Sequence, residues 1–253
     1  MSSIYRVRPA NKSTLDELTN SYLWFSKPNG FKGDAKDANI GAFVTDTAAI
    51  KRGIDFYFEM LGIKFPYEEW YEKMSHTGIC CFTSKLPNRK RIKKFPKCSQ
   101  RNCICIEYNK DIIESFFLNH KHYPIVPCFI PVVYDNNPTK IEAFDEWSIL
   151  WERTPEGSLY KTIPGILHEH PRECDLFLRK LLTRLNSKFK FQKEERIILG
   201  GGNIPSYDKS ILGYKIEIPM ESIIKIYVYP NVSHKFKEHL MSIDGIKNKI
   251  QII

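Results

Sequence analysis

The chain has 253 residues, 42% hydrophobic and 13% aromatic, with 38 Lys+Arg against 29 Asp+Glu and a formal net charge of +9. Such a length and apolar content exclude a disordered chain and suit one folded domain with a sizeable core. No run approaches a membrane span and residues 1–14 hold no apolar leader core, so a cytoplasmic protein with no membrane partner is expected.

IYRVR at 4–8 alternates, which sets Tyr5 and Val7 on one side of a first strand and Arg6 and Arg8 on the other, before Pro9 ends it. Ser13 or Thr14 is placed to cap a short helix through Leu18. A second strand is expected over 21–28, closed by Pro28, then a polar loop over 29–39. Ala48, Ile50, Ile54, Phe58 and Leu61 fall on one face of a helix over 45–63, with a further turn or two at 67–74.

GICCFTS at 78–84 reads as a buried strand and 85–97 as a basic loop. NCICIEYN at 102–109 reads as a strand with Cys103, Cys105 and Glu107 on one side and Ile104, Ile106 and Tyr108 on the other. A helix is expected over 111–120. Residues 125–135 suit a strand pair, or a bent strand broken by Pro127 and Pro131. A loop at 155–165 leads to a helix over 171–187. Strands are then expected over 188–199, 214–219 and 222–230, with the glycine run at 200–203 as a turn and a last helix from Ser233 to about Ser242. Strands at both ends with helices inserted, and no strict βαβ alternation, define an α+β fold with residues 1–253 as a single domain.

Chemistry is suggested in several places. Cys80, Cys81, Cys98, Cys103 and Cys105 cluster in sequence with His76 nearby, but their spacings do not follow a paired zinc motif, and reduced buried thiols are the commoner account. Two H-x-H pairs, His120/His122 and His168/His170, suit surface loops. No metal site is expected. Arg89, Lys90, Arg91, Lys93, Lys94, Lys97 and Arg101 place seven cations in thirteen residues, with Phe95 among them. Such a run suits either a solvated loop or a nucleic-acid contact in which cations meet phosphates and an aromatic ring meets a base. In KFKFQKEERIIL at 188–199, Gln192, Glu194 and Arg196 share one face if the whole segment is a strand. A carboxylate fixed there would stabilise an oxocarbenium-like cation, with a second polar side chain orienting the incoming group.

The ordered segments YRVR (5–8), SYLWFSKP (21–28), F-x-x-D (31–34), GICCFTS (78–84), CICIEYN (103–109), VVYD (132–135), KFQKEERI (190–197) and IPMESIIKIYVYP (218–230) resemble the bacterial DUF2971 family over nearly the whole chain. That family in turn is similar to ADP-ribosyltransferases. Tyr5-Arg6 resembles their first-strand Y-R or Y-H opening, Phe82-Thr83-Ser84 their aromatic-S-T-S strand, and Gln192-Lys193-Glu194 their Q/E-x-E motif. The late run also looks like the ending of the DarT-type toxins that modify nucleic acid. Two departures stand out: the 31–37 loop lacks the family's N-D-P, which puts Asp34 in doubt as a site residue, and the basic loop replaces its W-x-x-Y segment.

The resemblance implies an ADP-ribosyltransferase-like split, mixed or antiparallel β-sheet core and NAD as substrate. It implies catalytic roles for Glu194, Gln192 and Arg6, and an NAD pocket of Tyr5, Arg6, Arg8, Ser26, Thr83 and Ser84. Arg6, with Arg8 as second candidate, would hold the NAD. The expected protein is a toxin or phage-defence effector modifying nucleic acid or protein, with an antitoxin as a partner. Its alternative is a non-catalytic nucleic-acid-binding module using Arg89, Lys90, Arg91, Lys93, Lys94 and Lys97. A metal-dependent nuclease built on Glu194 and Arg196 ranks last.

Overall fold

A computed structural model describes residues 2–28, 77–119, 128–135, 182–199 and 212–253. Its elements, in chain order, are β1 (Ser3–Pro9), α1 (Lys12–Thr19), β2 (Tyr22–Ser26), β3 (Gly78–Thr83), β4 (Cys103–Asn109), α2 (Lys110–Leu118), β5 (Ile130–Pro131), β6 (Val133–Asp135), β7 (Arg184–Asn186), β8 (Glu194–Leu199), β9 (Gly213–Glu217), β10 (Ile223–Val228), α3 (His234–Met241) and β11 (Ile250–Ile252). The architecture is α+β, with a mostly antiparallel sheet ordered β11-β10-β4-β1-β3-β2-β9, β8 lying beside β3 and β5 beside β8. Among the described residues only β10 and β11 run parallel in it; β6 and β7 form a separate parallel pair.

The sheet forks at β3. One edge of β3 pairs with β8 from Gly78↔Leu199 to Thr83↔Glu194. Its other edge meets β1 at Tyr5↔Thr83 and β2 at Ser26↔Ile79. β1 and β2 therefore diverge from a common neighbour, and the Arg6 guanidinium bridges the gap by donating to Trp24 O at 3.0 Å.

The helices pack on one face. Leu18 of α1, Ile113 and Phe117 of α2, and Phe236 and Leu240 of α3 join Ile4, Phe25, Cys80, Phe82, Ile104, Ile106, Ile197 and Ile226 in the main core. Each such fully buried side chain contributes about 2 kcal/mol. Side-chain oxygens start the helices: Asn11 accepts from Thr14 N, Asn109 from Asp111 N and Ile112 N, and Ser233 from Phe236 N. The opposite face is covered in part by residues 85–101, where Ile92 and Cys98 pack on Cys103, Cys105 and Tyr229.

Several expectations change. The cap of α1 is Asn11 rather than Ser13 or Thr14. The strand expected over 188–199 is a 3₁₀ helix, Ser187–Gln192, followed by β8. Lys193 joins them at φ 47°, a left-handed turn that a regular strand cannot contain. The helix expected to reach residue 187 gives way to β7 at Arg184. β11 was not anticipated, because three residues carry too short an alternation to stand out. The helices expected over 45–63 and 67–74, the loops at 29–39 and 155–165, His76, both H-x-H pairs, Asp34 and the glycine run lie outside the described residues.

Candidate functional site

Directly paired residues of antiparallel strands project from the same face. The registers Tyr5↔Thr83 and Thr83↔Glu194 thus set Tyr5, Thr83 and Glu194 in one row across β1, β3 and β8, on the face away from the helices. Glu194 is only 8% exposed. Its Oε1 accepts from Arg196 Nε at 2.6 Å, and the wholly buried Arg196 also donates to Leu182 O. The backbone of Glu194 is pinned along one edge by residues 132–134: its N–H donates to Tyr134 Oη at 2.7 Å and its carbonyl accepts from Val132 N at 2.9 Å. Burial pushes the Tyr134 hydroxyl up to about 12, so it stays protonated at neutral pH.

Gln192 precedes the left-handed turn, so it does not alternate with Glu194 on a strand; its carbonyl accepts from Thr83 Oγ1, and the residue is 9% exposed. Ser84 is exposed and donates through N and Oγ to Lys193 O, at 3.0 and 3.3 Å. Ser26 shares the row's face but pairs with Ile79, four residues along β3 from Thr83 and about 13 Å away.

Arg6 and Arg8 do not join this group. Arg6 packs toward the Phe82 ring, 6.0 Å to its centroid, and pairs with Glu17 of α1. Arg8 reaches the same carboxylate at 2.8 Å. Phe82 projects from the helix-covered face, opposite Thr83, so Arg6 and Glu194 leave the sheet by opposite faces. The expected roles of Arg6 in catalysis and in holding NAD beside Glu194, and of Arg8 as second candidate, are corrected accordingly. Burial opposes the Arg6 charge, but its surroundings, the Cys80 thiol and the Glu17 carboxylate first among them, outweigh it and raise the guanidinium pKa. Two hollows lie among the helices: one of about 770 Å³ beside Leu15, Phe236 and Ile243, another of about 460 Å³ beside Phe116 and Pro219.

A basic surface adjoins the row. Arg89, Lys90, Arg91, Lys93, Lys94 and Lys97 are all exposed, and the segment that carries them is anchored by buried Ile92 and Cys98 and by the Tyr229 hydroxyl, which donates to Pro87 O. Phe95 meets Phe191 edge to face at 5.6 Å, and Lys94 lies over the Phe191 ring. This contact draws in Lys188, Lys190 and Lys193, which the sequence reading had not assigned to the surface; Lys188 lies over Phe189. The Lys85 charge, with Arg91 contributing less, lowers the pKa of the Lys193 ammonium, which marks how closely these cations crowd. No acidic residue occurs between 84 and 106, and no carboxylate pairs with these cations among the described residues.

Cys80, Cys98, Cys103, Cys105 and Cys128 are buried free thiols and Cys81 is half-buried. Among the described residues no group of His, Cys, Asp and Glu is arranged to hold a metal ion, and no helix is long and apolar enough to cross a membrane. No protein-family model, curated protein or solved structure matches the chain.

Proposed function

We propose that the protein is an NAD-dependent ADP-ribosyltransferase whose acceptor is nucleic acid. The carrying observation is the row Tyr5–Thr83–Glu194. The three segments that resemble transferase motifs, at the first strand, at Phe82-Thr83-Ser84 and at Gln192-Lys193-Glu194, fold onto adjacent strands, and one residue of each faces the same way.

In this reading the bond from ribose C1′ to the nicotinamide nitrogen breaks and its electron pair leaves with nicotinamide. Glu194, oriented by Arg196, stabilises the positive charge that develops on the ribose. An acceptor oxygen or nitrogen then bonds to C1′, and its proton passes through the carboxylate to water. Thr83, Ser84 and the Tyr5 ring line the pocket, and Gln192 orients the acceptor. The basic surface beside Glu194 holds the acceptor's phosphates. Arg6 takes no part. A bacterial enzyme of this kind acts as a toxin or phage-defence effector, with an antitoxin as its restraint.

The test is to incubate the protein with NAD labelled in its adenylate part together with RNA, DNA or cell protein. Label is expected in a nucleic-acid fraction. Glu194→Gln, which keeps a partner for Arg196, is expected to reduce labelling by about a hundredfold or more. Absence of both label and nicotinamide release rejects the reading. A second reading, a non-catalytic nucleic-acid-binding module, is favoured by one observation: Arg6 and Glu194 are both engaged in internal ion pairs. It predicts salt-dependent binding that NAD does not alter.

A further inference from the structure

We infer that Glu107 is a positioning residue of the same site, acting through Tyr5. Its role in turnover rests on the transferase reading above; the contact itself does not. Register extends the row in the other direction, since Tyr5 pairs with Glu107 on β4 and Glu107 with Lys225 on β10. Five strands thus contribute Lys225, Glu107, Tyr5, Thr83 and Glu194 to one line, with a carboxylate on either side of Tyr5.

Glu107 is 9% exposed. Oε1 accepts from Ser3 Oγ at 2.6 Å and from Tyr5 Oη at 3.4 Å, and Oε2 accepts from Tyr227 Oη at 2.7 Å. No cation stands within ion-pair distance of it among the described residues; Lys225 lies over the Tyr227 ring instead. Its neighbours on this side of β4, Cys103 and Cys105, are wholly buried and apolar in character, so an apolar side chain would suit the strand. Burying a carboxylate without a counter-ion is unfavourable, and three hydroxyl donors offset that only in part.

What the arrangement achieves is control of two phenols. Ser3 and Tyr227 hold the carboxylate by short bonds, and the carboxylate tethers the Tyr5 hydroxyl by a longer one. That fixes the direction of the Tyr5 ring, whose other neighbour in the row is Thr83, with Glu194 beyond it. Burial, and then the Glu107 charge, keep the Tyr5 hydroxyl protonated, so it remains a donor. Tyr5 can present its ring to the nicotinamide only while the tether holds.

The experiment combines two readouts on Glu107→Gln, Tyr5→Phe and the double variant, with Glu107→Asp as a gentler substitute should the glutamine variant not fold. In NAD turnover, each single variant is expected to lose roughly tenfold in kcat/KM, and the double variant no more than either. Losses that multiply, or a Glu107 variant with parental kcat/KM, overturn the proposal while leaving the transferase reading intact. The second readout needs no activity: the ring ζ-carbon resonances of tyrosine-labelled protein, with Tyr5 and Tyr227 assigned by their loss in the phenylalanine variants. Both are expected to shift in Glu107→Gln. If the parent consumes no NAD, the reaction is rejected and the resonances decide Glu107 alone: shifted signals support the tether, and unmoved signals overturn it.

Discussion

Glu17 on α1 holds two guanidinium groups, Arg6 through Oε1 and Arg8 through Oε2 at 2.8 Å, with its own side chain almost wholly enclosed. One carboxylate balances two cations beneath the sheet, so its loss leaves both without a carboxylate partner among the described residues. Glu17→Gln is expected to lower stability by about 3–5 kcal/mol, and Arg6→Met by a similar amount because Glu17 and Trp24 O lose a donor. Urea unfolding measures both. NAD consumption per folded molecule should be unchanged in Arg6→Met; a folded, inactive Arg6→Met would return that residue to the site.

Arg196 is the counterpart on the other face. It lies in an enclosed position against Glu194 and Leu182 O. Arg196→Lys keeps a charge but not the planar fork that reaches both acceptors at once. The expected outcome is a protein less stable by about 2–4 kcal/mol and slower in kcat by roughly tenfold, with the KM for NAD little altered. Unchanged kcat in that variant would show that the orientation of Glu194 does not matter.

The basic surface makes a quantitative claim about salt. If Lys188, Lys190 and Lys193 contact phosphates, changing all three to alanine reduces the slope of log K against log salt by about 2 for a single strand or about 3 for duplex DNA. Phe95→Ala should weaken single-strand binding by about 1–3 kcal/mol with the slope preserved. Fluorescence anisotropy across a salt series measures both quantities. Parental slopes in the triple variant would remove this surface from the interface.

Alkaline pH should weaken the fold through buried thiols. Burial raises the Cys80 thiol to about 11, against a modest lowering by Arg6. The folded state therefore keeps a proton that the unfolded chain releases near pH 9. The associated stability is complete below about pH 9 and is lost as pH rises through 11, amounting to about 2–3 kcal/mol. Comparing urea midpoints at pH 8 and pH 10.5 should show a smaller drop for Cys80→Ala than for the parent. Equal drops would place the alkaline sensitivity elsewhere.

Much of the strand framework could be read from the sequence, because β1 and β4 alternate, β3 and β10 are short runs rich in apolar residues, and Pro9 and Asn102 mark an end of β1 and of β4. What alternation cannot show is which strands become neighbours. Tyr5 and Arg6 are equally plausible from sequence, and only the register of β1 against β3 decides that Tyr5 faces Thr83. The segment 188–193 misled for a local reason: Phe189 and Phe191 alternate as in a strand, yet they close a 3₁₀ helix whose end at Lys193 is left-handed without a glycine to announce it. The same Lys-Phe alternation, KFKFQK, was the available signal for an aromatic-lined basic surface. Glu107 was placed on the correct side of β4, but nothing in sequence links it to Ser3, Tyr5 and Tyr227.

Consider last the point where β1 and β2 part company at β3. Among the described residues each is tied on that edge by a single register pair, while Arg6 spans the opening from one to the other. Two halves of the molecule thus meet along a seam with few main-chain ties, and a side chain does the stitching. Amide exchange in β1 and β2 would rise in concert when that stitch is cut, and the loosening would reach Tyr5 and Thr83, the pair that belongs to both the seam and the reactive row.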